Sequence, residues 1–287
     1  MRLLWRTLRH TARLAGSHRK LWIPFLLTAV VELSLLGLVA LAPHPPFSRL
    51  LAPPIRYVAG ERVLHYPWHL WFLYHVVPQA HLIASIVTGA VMTGVACAMV
   101  RQIHDRAPLS FRAALISQWG RIKTLLIVWV VVWGLAQGVR AACRAALRPP
   151  AGWPVWAAIG MELWLQAVFS YAIPAAVFEA ASWWSAVLHG VREFLRQPAT
   201  TFGIVAIALA PGIAFALLAP DASVARWMAQ VTPEIALPLL VIRVLIWTTA
   251  DAVLTTAVAH LWWLRRAPHP GAEVSGVRAP TPRVAAI

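Results

Sequence analysis

The sequence predicts an all-α protein that crosses a membrane six times, and three observations carry that prediction. Of the 287 residues, 60% are hydrophobic and 12% charged, and the mean hydropathy is +0.68. A soluble domain carries about 25% charged residues. Six apolar stretches, roughly 21–42, 77–100, 124–139, 154–180, 200–219 and 235–263, are long enough to span a bilayer. The basic residues, finally, fall on alternate loops. Segments 1–20, 101–123, 181–199 and 264–287 carry 17 Arg and Lys, the three opposite loops carry 7, and Arg243 lies within the sixth span. The positive-inside rule then expects both termini in the cytoplasm.

The first stretch resembles a signal peptide, with a basic start and "ALA" at Ala40–Ala42. Its apolar run of 22 residues from Leu21 exceeds an h-region of about 7–15, and Pro43 is a poor neighbour for a cleavage site. An uncleaved span is expected. Span two, "HLIASIVTGAVMTGVACAMV", is studded with small residues, including the Ala90/Gly94 and Gly89/Thr93 steps that let helices approach closely. It is read as a central packing helix. Span three is the shortest. Spans four and six run long and contain Pro174 and Pro238, tolerable in lipid where neighbours satisfy the freed carbonyls. Residues 1–266 form one membrane domain, and the Pro-, Gly- and Ala-rich 267–287 is expected to be a disordered cytoplasmic tail.

Each odd-numbered span follows an amphipathic segment. Residues 183–197 set Val187, Leu188, Val191, Phe194 and Leu195 against Arg192, Glu193 and Arg196. Residues 110–123 and, more loosely, 3–20 do likewise. These are expected interfacial helices, and with the spans they suggest three units of interfacial helix plus transmembrane hairpin. The excess of 25 basic over 10 acidic residues points to topology and to anionic lipid headgroups at the cytoplasmic face rather than nucleic acid, while the skew of 23 arginines to 2 lysines reflects genomic base composition. Cys97 and Cys143 fall on opposite sides and give no disulfide framework.

The segment "YAIPAAVFEAASWWSAVLHGVREFLRQPATTFGIVAI", Tyr171–Ile207, resembles a pattern in a loose superfamily of bacterial six-span membrane proteins of unknown function. That group includes a domain-of-unknown-function family and the membrane domain attached to some glycerophosphodiester phosphodiesterases. Pro174, Glu179 and the 183–197 helix carry the resemblance; the Trp183–Trp184 pair and the long aromatic first external loop depart from it. It implies six spans in a bacterial cytoplasmic membrane. It implies no activity, and no catalytic residue transfers.

Ionisable residues within spans are functional candidates: Glu32, Glu162, Arg243 and Asp251, with Glu179 nearer the cytoplasmic end. Arg243 and Asp251 lie about 80° apart around one helix, so an interhelical Arg243–Glu162 or Arg243–Glu32 pair is the expectation. Such a cluster is either a solute pathway or a polar lock on helix packing. Glu179 is expected to favour the positive end of the following helix. Outside, "ERVLHYPWHLWFLYH" (61–75) offers Glu61, His65, Tyr66, His69 and His75 as ligand candidates. Pro67 belongs in a first helical turn and leaves His65 outside it. Tyr66, Trp68, Trp71 and Tyr74 suit an interfacial aromatic belt. His65 and His69 stand four residues apart, a spacing that could bind a metal on one helix, but Pro67 separates them, and no cofactor motif or nucleophile arrangement is present. The leading functional expectation is a scaffold or accessory subunit binding lipid and either a membrane-protein partner or a second copy. A transporter or channel-like permease stands second, and a membrane enzyme acting on a lipid-linked substrate at the outer face third. A polar cavity at the membrane midplane would raise transport above scaffold.

Overall fold

Helices begin where the sequence supplies a start. Ser110 and Ser182 accept hydrogen bonds from the amides of Ala113 (3.3 Å) and Ser185 (3.4 Å), capping the helices that follow. Pro24 and Pro198 occupy first-turn positions, where a missing amide costs nothing. The computed structural model describes residues 2–66, 68–147, 155–179, 182–218 and 233–266. Twelve α-helices are described: α1 (Arg2–Ser17), α2 (Ile23–Ala40), α3 (Ser48–Ala59), α4 (Trp68–Ala84), α5 (Ala90–His104), α6 (Phe111–Trp119), α7 (Ile122–Leu147), α8 (Val155–Phe169), α9 (Ala172–Phe178), α10 (Trp183–Arg196), α11 (Pro198–Leu218) and α12 (Ala236–Arg266).

Six helical stretches among the described residues are long and apolar enough to cross a membrane: Arg19–Ala40, His81–His104, Ile122–Val139, Ile159–Phe178, Pro198–Phe215 and Leu237–Arg266. The chain is an all-α, multi-pass membrane protein. The proposed tail, 267–287, lies outside the described residues. Cys97 is free and buried, and the side chain of Cys143 also lies outside them.

The expected three-unit order is present: α1 leads into α2, α6 into α7, and α10 into α11. Their packing closes a ring. Each leading helix docks on the second span of the preceding unit: α6 on α5, α10 on α8 and α9, and α1 on α12. The first spans follow the same rule. α2 packs between its own α4–α5 and α12, α7 between α9 and α5, and α11 between α12 and α8.

Two second spans depart from regular helix. Between α4 and α5 lies a π-helical turn, Ser85–Gly89, inside an otherwise continuous rod from Trp68 to His104. At 1.5 Å per residue that rod is about 55 Å long, so its midpoint, not its start, lies at the depth of α2's middle. Span four breaks at Ser170–Tyr171 and resumes as α9, with Pro174 in α9's first turn. Pro174 is thus accommodated by a break rather than carried within one helix. The buried Tyr171 at this break shares a 3.0 Å hydrogen bond with Thr201 of α11.

Burial is concentrated at the end of the bundle that holds the described termini. There α5, α9 and α12 converge, burying Met99, Val100, Ala175, Ala176, Leu261 and Trp262. A small separate cluster of Leu36, Leu70, Leu73 and Leu240 holds the opposite end. The terminal end is also pinned by charge. Glu193 of α10 is buried and pairs with Arg265 of α12 and with Arg196 (3.1 Å). Glu179 pairs with Arg266 and with His189 (2.5 Å), and the Arg266 guanidinium sits 4.1 Å over the Trp262 ring. Arg121 donates to the Val177 carbonyl at 2.7 Å, satisfying the C-terminus of α9. Glu179 is therefore an ion-pair partner just past α9; the cap of α10 is Ser182, and the helix-dipole expectation for Glu179 is corrected.

Span two packs as its small residues predict: Gly94 is buried with Leu125 against it. A Cβ at Gly94 would sit 2.6 Å from the Leu125 Cδ1, the end of a mobile side chain. A Cβ at Gly190 of α10 would meet the Ala172 backbone nitrogen at 2.9 Å. Backbone cannot rotate away, so Gly190→Ala should lower the melting temperature of the detergent-solubilised protein more than Gly94→Ala. An overpacking cost of about 1–3 kcal/mol is expected at Gly190. Equal tolerance of both substitutions in a thermal-shift assay would contradict this packing.

Candidate functional site

Four spanning segments carry polar side chains four residues apart, on one helical face. α2 has Thr28 and Glu32; the α4–α5 rod has His81, Ser85 and Thr93; α8 has Glu162 and Gln166, with Ser170 just beyond it; α12 has Asp251 and Thr255. All of these face a single cavity of about 340 Å³. α7 adds Trp129 and Trp133 and α11 adds Leu209, so every span contributes to the wall. The cavity lies within the ring, above the point where α5, α9 and α12 converge.

Both backbone irregularities open on this cavity. Ser85 and Gly89, the ends of the π turn, and Ser170, at the break in span four, all line it. Open backbone groups at membrane depth are tolerated where they are covered by protein or line a water-filled space, and π turns concentrate at functional sites.

Within the cavity the carboxylate of Glu32, 8% exposed, lies 3.0 Å from the His81 Nδ1. A buried charge in a membrane needs such a partner. The expected pairing of Glu32 with Arg243 is thus corrected: His81 takes that role. Arg243 makes no ion pair among the described residues and lines a second cavity of about 260 Å³ with Glu32, His81, Glu162 and Trp247. These four residues also line the first cavity, so the two are contiguous through them. Asp251 stands halfway along α12 with its side chain open to the larger cavity, and it too makes no ion pair among the described residues.

The structure therefore brings together Glu32, Glu162, Asp251 and Arg243 and leaves Glu179 at the terminal end. His81, Gln166, Ser170 and Thr255 were not among the candidates. Their signal was present as polar residues at four-residue intervals inside apolar spans.

The 61–75 stretch does not assemble a reactive group among the described residues. α4 starts at Trp68, leaving His65 outside the helix. Glu61 is held by Arg56, whose Nη2 donates at 3.0 Å, and the exposed His65 Nε2 is 4.0 Å away. The Tyr66 hydroxyl donates to Glu234 at 2.6 Å, joining the segment before α4 to the start of α12. The side chains of His69 and His75 lie outside the described residues. No trio of His, Cys, Asp or Glu side chains suited to a metal ion occurs among the described residues.

No family model, curated protein or solved structure matches the chain.

The Tyr66 hydrogen bond holds the Glu234 carboxyl below its ordinary range and raises the Tyr66 phenol. The link is complete at neutral pH and weakens as pH falls through the lowered Glu234 value. Tyr66→Phe should move the Glu234 titration, followed by carbon-13 NMR in nanodiscs, upward toward the ordinary carboxylate range, with the backbone hydrogen bond at Glu234 still holding it down in part. An unchanged titration would show that the bond does not form.

Proposed function

We propose that the protein is a membrane permease that moves a small solute through the midplane cavity. One observation carries the reading: all six spans wall a cavity lined by Glu32, His81, Glu162 and Asp251, and both interrupted spans open on it. Charges at the bilayer centre are expensive and mark solute or proton pathways. Discontinuous helices around a midplane site are the recurrent architecture of secondary transporters. This order reverses the sequence-based ranking, in which a scaffold came first. The criterion for the reversal is the cavity itself, because a polar lock needs paired charges and no space between them.

The reading places the protein in a bacterial cytoplasmic membrane with both termini inside, following the basic residues. The tightly packed terminal end is then the closed inner side, and the cavity communicates with the outside. Exposed Arg2, Arg6, Arg9 and Arg13 beside Trp5 on α1, and Arg112 beside Trp119 on α6, suit contact with anionic headgroups around that inner side. Glu32 and His81, in contact and facing the cavity, are the pair that can exchange a proton with a passing solute.

Single cysteines at Thr255 and Gln166, in a Cys97→Ser/Cys143→Ser background, test the reading in oriented membranes. Both should react with a membrane-impermeant maleimide supplied from the side opposite the termini, and neither from the terminal side. A cysteine at Leu245, exposed on the same helix but outside the cavity wall, should not react. Unreactive cavity cysteines in a protein that remains folded and monodisperse would return the cluster to the role of a dry structural lock.

A further inference from the structure

The wall of the larger cavity also defines what it would hold. Its ionisable side chains are three carboxylates, Glu32, Glu162 and Asp251, and one imidazole, His81. His81 is engaged by Glu32. Arg243, the nearest guanidinium, lines the neighbouring cavity instead. An anionic solute would therefore meet like charge, whereas a cation would meet an Asp251 carboxylate that has no ion-pair partner among the described residues.

Among its aliphatic and small polar lining, four aromatic side chains also face the cavity: Trp129, Trp133, Phe169 and Trp247. Trp129 and Trp133 of α7 stack with ring centroids 6.4 Å apart and planes 11° from parallel. Trp247 stands one helical turn before Asp251 on α12 and lies against Gly212, where an added Cβ would come within 3.2 Å of its ring. The absence of a side chain at Gly212 is what lets the indole sit this close to α11. Phe169 completes this part of the lining. Indole faces attract cations, and an aromatic wall beside a carboxylate is the arrangement that recognises alkylated ammonium groups. A small inorganic cation is less well served, because it requires several converging oxygen ligands at short range. The described residues offer no trio of metal-binding side chains.

We infer that the cavity binds an organic cation of the quaternary or tertiary alkylammonium class, its charge at Asp251 and its alkyl groups against Trp129, Trp133 and Trp247. This rests on the permease reading and narrows it. The indoles replace the ion's hydration shell, and the aspartate supplies the charge that keeps the cation in a low-dielectric space.

The test uses the full chain in detergent or nanodiscs, with radiolabelled choline as probe in a scintillation proximity assay. Tetraethylammonium should compete, and 3,3-dimethylbutanol, the uncharged isostere of choline, should not. Choline should bind with a Kd on the order of 1 mM or tighter. Asp251→Asn should weaken it about tenfold or more, Asp251→Glu should recover part of the loss, and Trp133→Leu should weaken it several-fold. Glu234→Gln, outside the cavity, should leave it unchanged. Competition by the neutral isostere, or wild-type binding by a folded Asp251→Asn protein, would overturn the inference. So would absent choline binding in a protein whose Thr255 and Gln166 cysteines are labelled from outside, and that result would leave the pathway standing. Absent labelling would instead remove the pathway and the substrate class together.

Discussion

Inside a bilayer an open amide or carbonyl has no water to turn to, and that constraint shapes what the helices of this protein can do. A span that departs from helical geometry must be covered by protein or face a wet space. Two of the three second spans depart from it, one through the π turn at Ser85–Gly89 and one through the break at Ser170–Tyr171. Both open on the same cavity, through Ser85 and Gly89 and through Ser170, while Val87 of the π turn is exposed and lies outside the cavity lining.

The ring depends in turn on the three leading helices. A hydrophobic drive between helices is weak in lipid, so close approach and hydrogen bonding must replace it. α1, α6 and α10 supply both at the terminal end, each clamping the second span of its neighbour. Gly190 lets α10 touch the backbone of Ala172, and Gly203 receives Leu4 of α1. Glu193 and Glu179 bind the last turn of α12 through Arg265 and Arg266. The dense packing at this end leaves the opposite half free to open around the polar residues. Tightness at one end and space in the middle are two results of the same asymmetric arrangement.

The architecture was legible in the sequence because each part has a local signature. Apolar length marks the spans, and helical periodicity marks the short helices α1, α6 and α10 that lead into three of them. The Ala90/Gly94 step announced close packing, and Gly94 is indeed pressed against Leu125. Intramembrane charge identified Glu32, Glu162, Arg243 and Asp251. What the sequence concealed was relational. His81 carries no signal of its own near the start of the second apolar stretch, whereas the helix begins at Trp68 and brings His81 against Glu32. The break before Pro174 was hidden for a similar reason: hydropathy does not distinguish a continuous apolar helix from two halves. Gln166, Ser170 and Thr255 are unremarkable singly and gain meaning only from the carboxylate four or eight residues before them. The histidines of the 61–75 stretch attracted notice by density, yet Glu61 and Tyr66 are engaged by Arg56 and Glu234.

On the permease reading, the irregular backbone of spans two and four faces water in the middle of the membrane. Hydrogen–deuterium exchange of the protein in nanodiscs, resolved to short peptides, measures this directly. Amides at 85–89 and 170–172 should exchange within minutes, while the flanking stretches 91–100 and 175–178 stay protected for hours. Protection of 85–89 and 170–172 as strong as that of their flanks would mean that the cavity is dry, and the account of the protein as a pathway would fail with it.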